Sequence, residues 1–393
     1  MAYLKNSTVN LLNLHYGLQM LALNGAGVFF FVFLLRAGVP AAAVFIWLAL
    51  ALAGRFAIRP LVLILAPHWG LRALVIFGTV ASGVQYLFLA EVHGIDFMLL
   101  GLCLTSAIGD AFYWTTYHAY FAALGDAEHR GHQVGAREAL ASITAIVAPL
   151  AGGLVLTALG PRIAFGAAMA LHALAALPFL ATPDVKVVRE MPGAFKAAIP
   201  GILLFVADGW SVIGYMFVWQ IALFLSLGES FSSFGVAMAV AALVGAISGL
   251  ILGRHIDAGH GNRVVWFTFA ALAAATMFRA VSTGDATLAV AANAFGALVG
   301  CFYIPTLMTA VYNLAKRSPC ALRFHLAAEG GWDIGGAAAS LFTALLIAAG
   351  LSLSFGILLS LAGQGLALFL LRRYYAGMDI VPRPPVTQPL PGA

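Results

Sequence analysis

Within an otherwise apolar stretch, Gly109-Asp-Ala-Phe-Tyr-Trp-Thr-Thr-Tyr-His118 places a carboxylate, an indole, a phenol and an imidazole at 110, 114, 117 and 118. At helical spacing Asp110, Trp114, Tyr117 and His118 share one face. A carboxyl held there, away from water, can trade a proton near neutral pH. It can equally counter a cationic solute, with Trp114 and Tyr117 supplying cation–π contact, or make a structural hydrogen bond to a neighbouring helix. A second stretch has the same make-up: Asp208, Ser211, Tyr215 and Trp219 fall on one face, again an acid followed by aromatics. Asp208 sits about 13 Å from the start of its apolar block at the helical rise. Charges inside a bilayer cost several kcal/mol, about 3 on insertion scales, so those that persist there are candidates for function.

The cations inside apolar blocks are fewer. Arg55 and Arg59 lie four apart and share a helical face. As a pair they would bind an anionic solute by bidentate hydrogen bonds. Alternatively they belong to a gate and pair with acids such as Glu138. Arg59 is read as gating, whereas Arg55, a turn deeper, is kept as a candidate for the solute site. Glu138, Glu329 and Asp333 open their blocks, where a helix N-terminus favours a carboxylate; Asp333, one turn deeper, has the alternative of facing a cavity. In the first block the polar residues are His15, Gln19 and Asn24. His15 would titrate near neutrality, although a lone histidine near a helix end is more often structural. His129 and His132, with Asp126 and Glu128 just ahead, are residue types that ligate metals, but a short polar loop does nothing to fix their geometry. No metal site and no cofactor is expected. There is no phosphate-binding glycine loop, His-Glu-x-x-His or Cys-x-x-Cys spacing, so no soluble-enzyme reading stands.

The elements that position these residues follow from composition. Of 393 residues, 62% are hydrophobic and only 9% charged, against about 25% charged in a globular domain. Windows of roughly 20 apolar residues, one bilayer core each, fall near 11–36, 39–66, 71–92, 96–123, 134–159 and 162–182. Six more fall near 199–226, 232–256, 263–282, 286–313, 326–349 and 351–374. Lys5, Arg72, Arg130, Arg137, Lys186, Arg189, Lys196, Arg254, Arg263, Lys316, Arg317, Arg323, Arg372 and Arg373 occupy alternate gaps between the blocks, and the intervening gaps hold only Arg36, Arg162 and Arg279. Short loops rich in lysine and arginine stay in the cytoplasm, so both termini are expected there, in a plasma membrane of bacterial inner-membrane type. The formal net charge is +5, and the bases are spread over many loops facing anionic lipid, which excludes a nucleic-acid stripe. Cys103, Cys301 and Cys320 show no pairing pattern. The first block lacks a charged n-region and cleavage site, so it reads as a retained span rather than a signal peptide.

The expected organisation is therefore an all-α membrane protein of twelve spans: a first six-helix bundle (1–182), a cytoplasmic linker (183–198), a second bundle (199–374) and a proline-rich, disordered tail (375–393). The halves echo one another. Gly54-Arg55 precedes the turn Ala66-Pro-His-Trp-Gly70-Leu-Arg72, and Gly253-Arg254-His-Ile-Asp257-Ala-Gly-His-Gly261-Asn-Arg263 follows the eighth block. Likewise Gly135-Ala-Arg-Glu138 opens the fifth span and Ala327-Ala-Glu329-Gly-Gly the eleventh.

On these features the chain resembles, over essentially its whole length, the major facilitator superfamily of secondary transporters. Gly253, Arg254, Asp257, Gly261 and Arg263 resemble the superfamily's signature between the second and third helix of a half, with one extra residue. In the first half Gly70 and Arg72 remain, but Pro67 stands where the acid is usual. Pro149-Leu-Ala-Gly152-Gly153 resembles the proline–glycine motif of the fifth helix that is often seen in exporters. The resemblance implies two bundles facing each other across a midplane cavity, commonly lined by the first and seventh spans. It also implies that Arg254 and Asp257 meet the Glu138, Glu329 and Asp333 region as a bistable latch, with Arg72 and Arg263 in the same gating role. The expected function is alternating-access, proton-coupled transport of a small organic solute by a monomer in the lipid bilayer. Asp110 and Asp208 would be the charged sites, Trp114, Tyr117, Tyr215 and Trp219 the cavity walls, and export of an amphipathic or cationic compound the favoured direction. The alternatives are import of an organic anion on Arg55 and Arg59 and, further off, a membrane-embedded enzyme or a transporter-like sensor. One fold hosts many solutes, so the resemblance names none.

Overall fold

The computed structural model describes residues 6–124, 130–187, 192–256 and 261–379, with the backbone alone at 122, 130–136, 252–256, 261–264 and 377–379. Every regular element among them is a helix. Ten helices are long and apolar enough to cross a membrane. One of these, the 50-residue Ala41–Ala90, is two spans joined at Gly70, and the shorter Val265–Val281 adds another, which makes twelve. In chain order they are α1 (Ser7–Arg36), α2 (41–69), α3 (71–90), α4 (Phe97–Leu124), α5 (Arg130–Ala158), α6 (Pro161–Ala181), α7 (Ile199–Ser226), α8 (Phe231–Ile256), α9 (Gly261–Val281), α10 (Ala286–Arg317), α11 (Ala321–Ala348) and α12 (Leu353–Ala376). A helix satisfies its own backbone hydrogen bonds, which is why it can cross hydrocarbon. Large apolar side chains accordingly point outward, as at Phe97, Leu250 and Val281. The last helix runs on to Asp379, so the expected tail begins later than 375, and from 380 on it lies outside the described residues.

Gly70 shows how the chain turns at the end where α1 begins and α12 finishes. Its φ of 79° lies in the left-handed region and breaks the helix. A side chain there is also barred by space: a Cβ on Gly70 would sit 2.1 Å from Asp184 Oδ2. Asp184 belongs to the segment after α6 and accepts from the Arg72 amide at 3.2 Å, while Leu71 N–H donates to the Val185 carbonyl at 2.9 Å. The Arg72 guanidinium donates to the Thr182 carbonyl at 2.9 Å. Arg72 thus fastens the α2–α3 turn to the α6–α7 segment inside one half. Pro67 leaves the helix without the usual acid, and Asp184 brings a carboxylate to that turn through space. Partial burial opposes its ionisation, yet the Lys186 ammonium and the Arg72 amide hold its carboxyl below the ordinary carboxylate range.

The two six-helix bundles, α1–α6 and α7–α12, touch through α2 against α11 and through α5 against α8. At the end away from the termini, the seam is aromatic and tightly packed. Phe29 meets Phe231 and Phe234 at ring-centroid distances of 6.1 and 5.6 Å, and Phe31 meets Phe217 at 4.8 Å. The α5 and α8 backbones nearly touch, since a Cβ on Gly235 would lie 2.3 Å from the Pro149 carbonyl oxygen. Deeper in, the seam between α2 and α11 is ionic.

Candidate functional site

Arg55 and Arg59 project from α2 toward α11. Asp333, fully buried, takes both of them: Arg55 Nε donates to Oδ1 at 2.5 Å and Arg59 Nε donates to Oδ2 at 2.5 Å. Arg59 Nη1 donates to Glu329 Oε2 at 2.5 Å and to Thr115 Oγ1 at 2.8 Å. On the cavity side Arg55 Nη1 lies 3.6 Å from Asp110 Oδ2, and its guanidinium stacks 4.9 Å over the Trp332 ring. Trp332 in turn donates from Nε1 to Asp208 Oδ2 at 3.0 Å, and the Tyr303 hydroxyl donates to Asp208 Oδ1. One continuous polar network therefore runs from Asp110 and Thr115 on α4, through Arg55 and Arg59, to Asp333, Glu329, Trp332 and Asp208 in the other half. Counting its ionisable members gives four carboxylates (Asp110, Asp208, Glu329, Asp333) against two guanidiniums (Arg55, Arg59).

The network forms part of the wall of a cavity of about 860 Å³ between the halves. Asp110, Arg55, Trp114, Asp208, Tyr215 and Trp219 all line it, and Asp110 keeps 35% of its side-chain surface open while Asp333 keeps none. Two sequence expectations are corrected. Tyr117 is on the Asp110 face by angle, but at its depth α1 covers α4, so it is buried against His15 and Tyr16 at 5.5 and 5.6 Å and does not reach the cavity. Ser211 turns instead to α12, which approaches so closely at Gly363 that a Cβ there would lie 2.7 Å from the Ser211 nitrogen. Just beyond it, α7 widens into a π-helical stretch over Ile213–Val218, a distortion common at functional sites. It brings Val212, Met216 and Gln220 into the lining beside Tyr215.

Glu138 does not partner Arg55 or Arg59. It is exposed and accepts from its neighbour Arg137 at 2.7 Å, while Glu329 and Asp333 fill the role expected of it. Asp257 and the side chains of Arg254 and Arg263 lie outside the described residues. His15 is structural, bonded to the Ala175 carbonyl at 2.7 Å and to the Tyr113 hydroxyl at 3.0 Å. The residues that sequence reasoning missed are Trp332, Tyr303 and Arg279. Tyr303 sits in an ordinary apolar run, whereas Trp332 lies directly beside Asp333 and three residues after Glu329, and that position was its available signal. Arg279 looks like a loop cation, because it falls in the last turn of α9, yet it is buried and lines the cavity.

Twelve helices in two bundles about a charged central cavity are the architecture of a membrane transporter. The chain matches the family model described as Major Facilitator Superfamily over residues 14–318 and belongs to that family. Its fold is shared with a mutant form of the nucleoside transporter NupG, at TM-score 0.65 and 15% identity, covering 94% of this chain and 99% of that one. It is shared equally with the POT family transporter PepTSo, at TM-score 0.67 and 12% identity, covering 95% and 99%. No curated protein matches it in sequence.

Proposed function

We propose that this secondary transporter couples movement of a small organic solute to protons, with Asp110 and Asp208 as the groups that exchange charge. The observation that carries the reading is the imbalance in the network: four carboxylates stand against two guanidiniums, both guanidiniums are spent on Asp333, Glu329 and the flank of Asp110, and Asp208 is held by Trp332 and Tyr303 instead. An uncompensated buried ion costs several kcal/mol, even after relaxation. Taking up a proton or a cationic group relieves that cost, and releasing it restores the attraction that draws α2 to α11. The same excess argues against the organic-anion reading on Arg55 and Arg59, because an arriving anion must displace carboxylates already in place. Trp114 offers an aromatic face to an amphipathic or cationic solute, while the Tyr215 and Trp219 rings are packed against Arg279. For direction we propose export, on the resemblance of Pro149-Leu-Ala-Gly152-Gly153 to the proline–glycine motif often seen in exporters, a stretch that packs closely on α8. The termini are proposed to be cytoplasmic on the alternation of loop cations.

The test begins with a thermal-shift screen of cationic and zwitterionic solutes at one acidic and one alkaline pH. The hits are then assayed in proteoliposomes under an imposed pH gradient. Asp110→Asn should bind solute yet lose gradient-driven flux. Flux at the wild-type rate in that variant would remove Asp110 from the mechanism.

A further inference from the structure

The cavity also holds a cation that the network does not use. Arg279, from the last turn of α9, is 6% exposed. Its guanidinium packs against the face of Tyr215 at 4.0 Å and against Trp219 at 5.3 Å, and Nη1 donates to the Tyr215 carbonyl. Nε has no partner, and no described carboxylate pairs with the group. Gly296 leaves room for it: a Cβ on residue 296 would lie 2.0 Å from Arg279 Nη2, so a side chain there would displace the guanidinium from its platform. The Tyr215 hydroxyl donates to the Gly296 carbonyl at 3.0 Å, fixing the ring on which the guanidinium rests. A planar fork of donors held on an aromatic face, with donors to spare, suits a carboxylate. A buried arginine without a counter-charge is costly, and a solute anion would supply what the protein withholds.

We infer that Arg279, on its Tyr215–Trp219 platform, is the anion subsite of the transport cavity, and that the solute is a zwitterion with an ammonium facing Asp208 and Asp110 and a carboxylate facing Arg279. This rests on the proposed role of those two acids. Asp208 and Tyr215 are seven residues apart on α7, roughly 10 Å at the helical rise. Charge-assisted hydrogen bonds of about 2.8 Å at each end leave several ångströms, so the ammonium and carboxylate are separated by a few carbons. A single guanidinium balances a carboxylate but leaves a phosphate dianion in surplus beside the acids, which favours the carboxylate.

The experiment measures binding to the purified full chain of unbranched ω-amino acids of increasing length and of the alkylamines that match them. In the wild type the carboxylate should improve affinity about tenfold or more at the best length, the range of a charge-assisted hydrogen bond. Arg279→Gln should bring acid and amine to equal affinity. Arg279→Lys, which keeps charge without the fork, should retain part of the preference and serves if the glutamine variant does not fold. Asp208→Asn should weaken both series and keep the preference. Equal loss of both series in Arg279→Gln, or no preference in the wild type, overturns the zwitterion inference. If amines bind and depend on Asp208 while the carboxylate adds nothing, only this inference fails. If neither series binds the wild type, the inference and the cationic-solute reading fall together.

Discussion

The two halves are joined by contacts of opposite chemistry. At the end away from the termini phenylalanines from α1 interlock with α7 and α8, and the α5 and α8 backbones meet at Pro149 and Gly235. At mid-depth Arg55 and Arg59 from one half bind Asp333 and Glu329 from the other. The aromatic contact depends on shape, so neither pH nor a solute's charge acts on it directly. The ionic contact depends on the protonation and occupancy of groups that also face the cavity. On the proposed coupling this difference gives them different tasks: the aromatic seam would set how hard its end is to open, and the ionic seam would report what is bound.

The largest effect should come from Asp333. Replacing it with alanine leaves two buried arginines without their shared acceptor, a loss of about 3–5 kcal/mol for a broken buried pair. The variant should melt well below wild type in detergent or fail to accumulate. Replacing Arg55, Arg59, Glu329 and Asp333 together with apolar residues of similar volume should recover much of that stability, since apolar substitutes for a whole buried ion group are often neutral, while transport stays lost. Recovery of transport along with stability would show that the ionic seam is only glue.

A smaller change should follow at the apolar seam. Gly235→Val forces α8 away from the Pro149 carbonyl, an overpacking cost of about 1–3 kcal/mol. It should favour the arrangement open at that end. In a variant with the native cysteines replaced, labelling of Phe31→Cys by a membrane-impermeant thiol reagent should rise, and it should rise equally at acidic and alkaline pH. Labelling that changes with pH in the Gly235→Val background would erase the distinction between the two seams.

Much of this was legible beforehand, for a definite reason. Apolar runs and loop cations respond to the lipid directly, so twelve spans, the Gly70 turn and the cavity-facing Asp110 and Asp208 could be read without knowing how helices pack. Pairings between helices could not. Glu138 and Glu329 were expected at helix starts, but each lies eight residues beyond the first residue of its helix, and only the approach of α2 to α11 decides that Arg59 meets Glu329 and Asp333. Periodicity gave the face of Tyr117 but not that α1 covers it. It assumed a regular helix through Ile213–Val218, where α7 is π-helical. Arg279 was misplaced because position near a helix end does not say which way a long side chain folds.

The smallest effect separates these seams from a third charged contact that lies wholly inside one half. Asp184 joins the Gly70 turn to the segment after α6 through Arg72 and Lys186. Its carboxyl is held below the ordinary carboxylate range in the folded protein, so it adds stability at neutral pH. That contribution is present above the unfolded carboxylate value, about pH 4, and is lost as the pH falls through the lower folded value. Asp184→Asn should therefore melt slightly below wild type at neutral pH, and the two curves should converge in acid. Because Asp184 does not bridge the halves, the variant's flux under a pH gradient should match wild type once normalised for folded protein. A gap in melting temperature that persists in acid would mean that Asp184 acts through shape at Gly70 rather than through charge. Impaired flux in well-folded protein would mean that the turn is coupled to the latch, and the division between a static half and a switching seam would have to be redrawn.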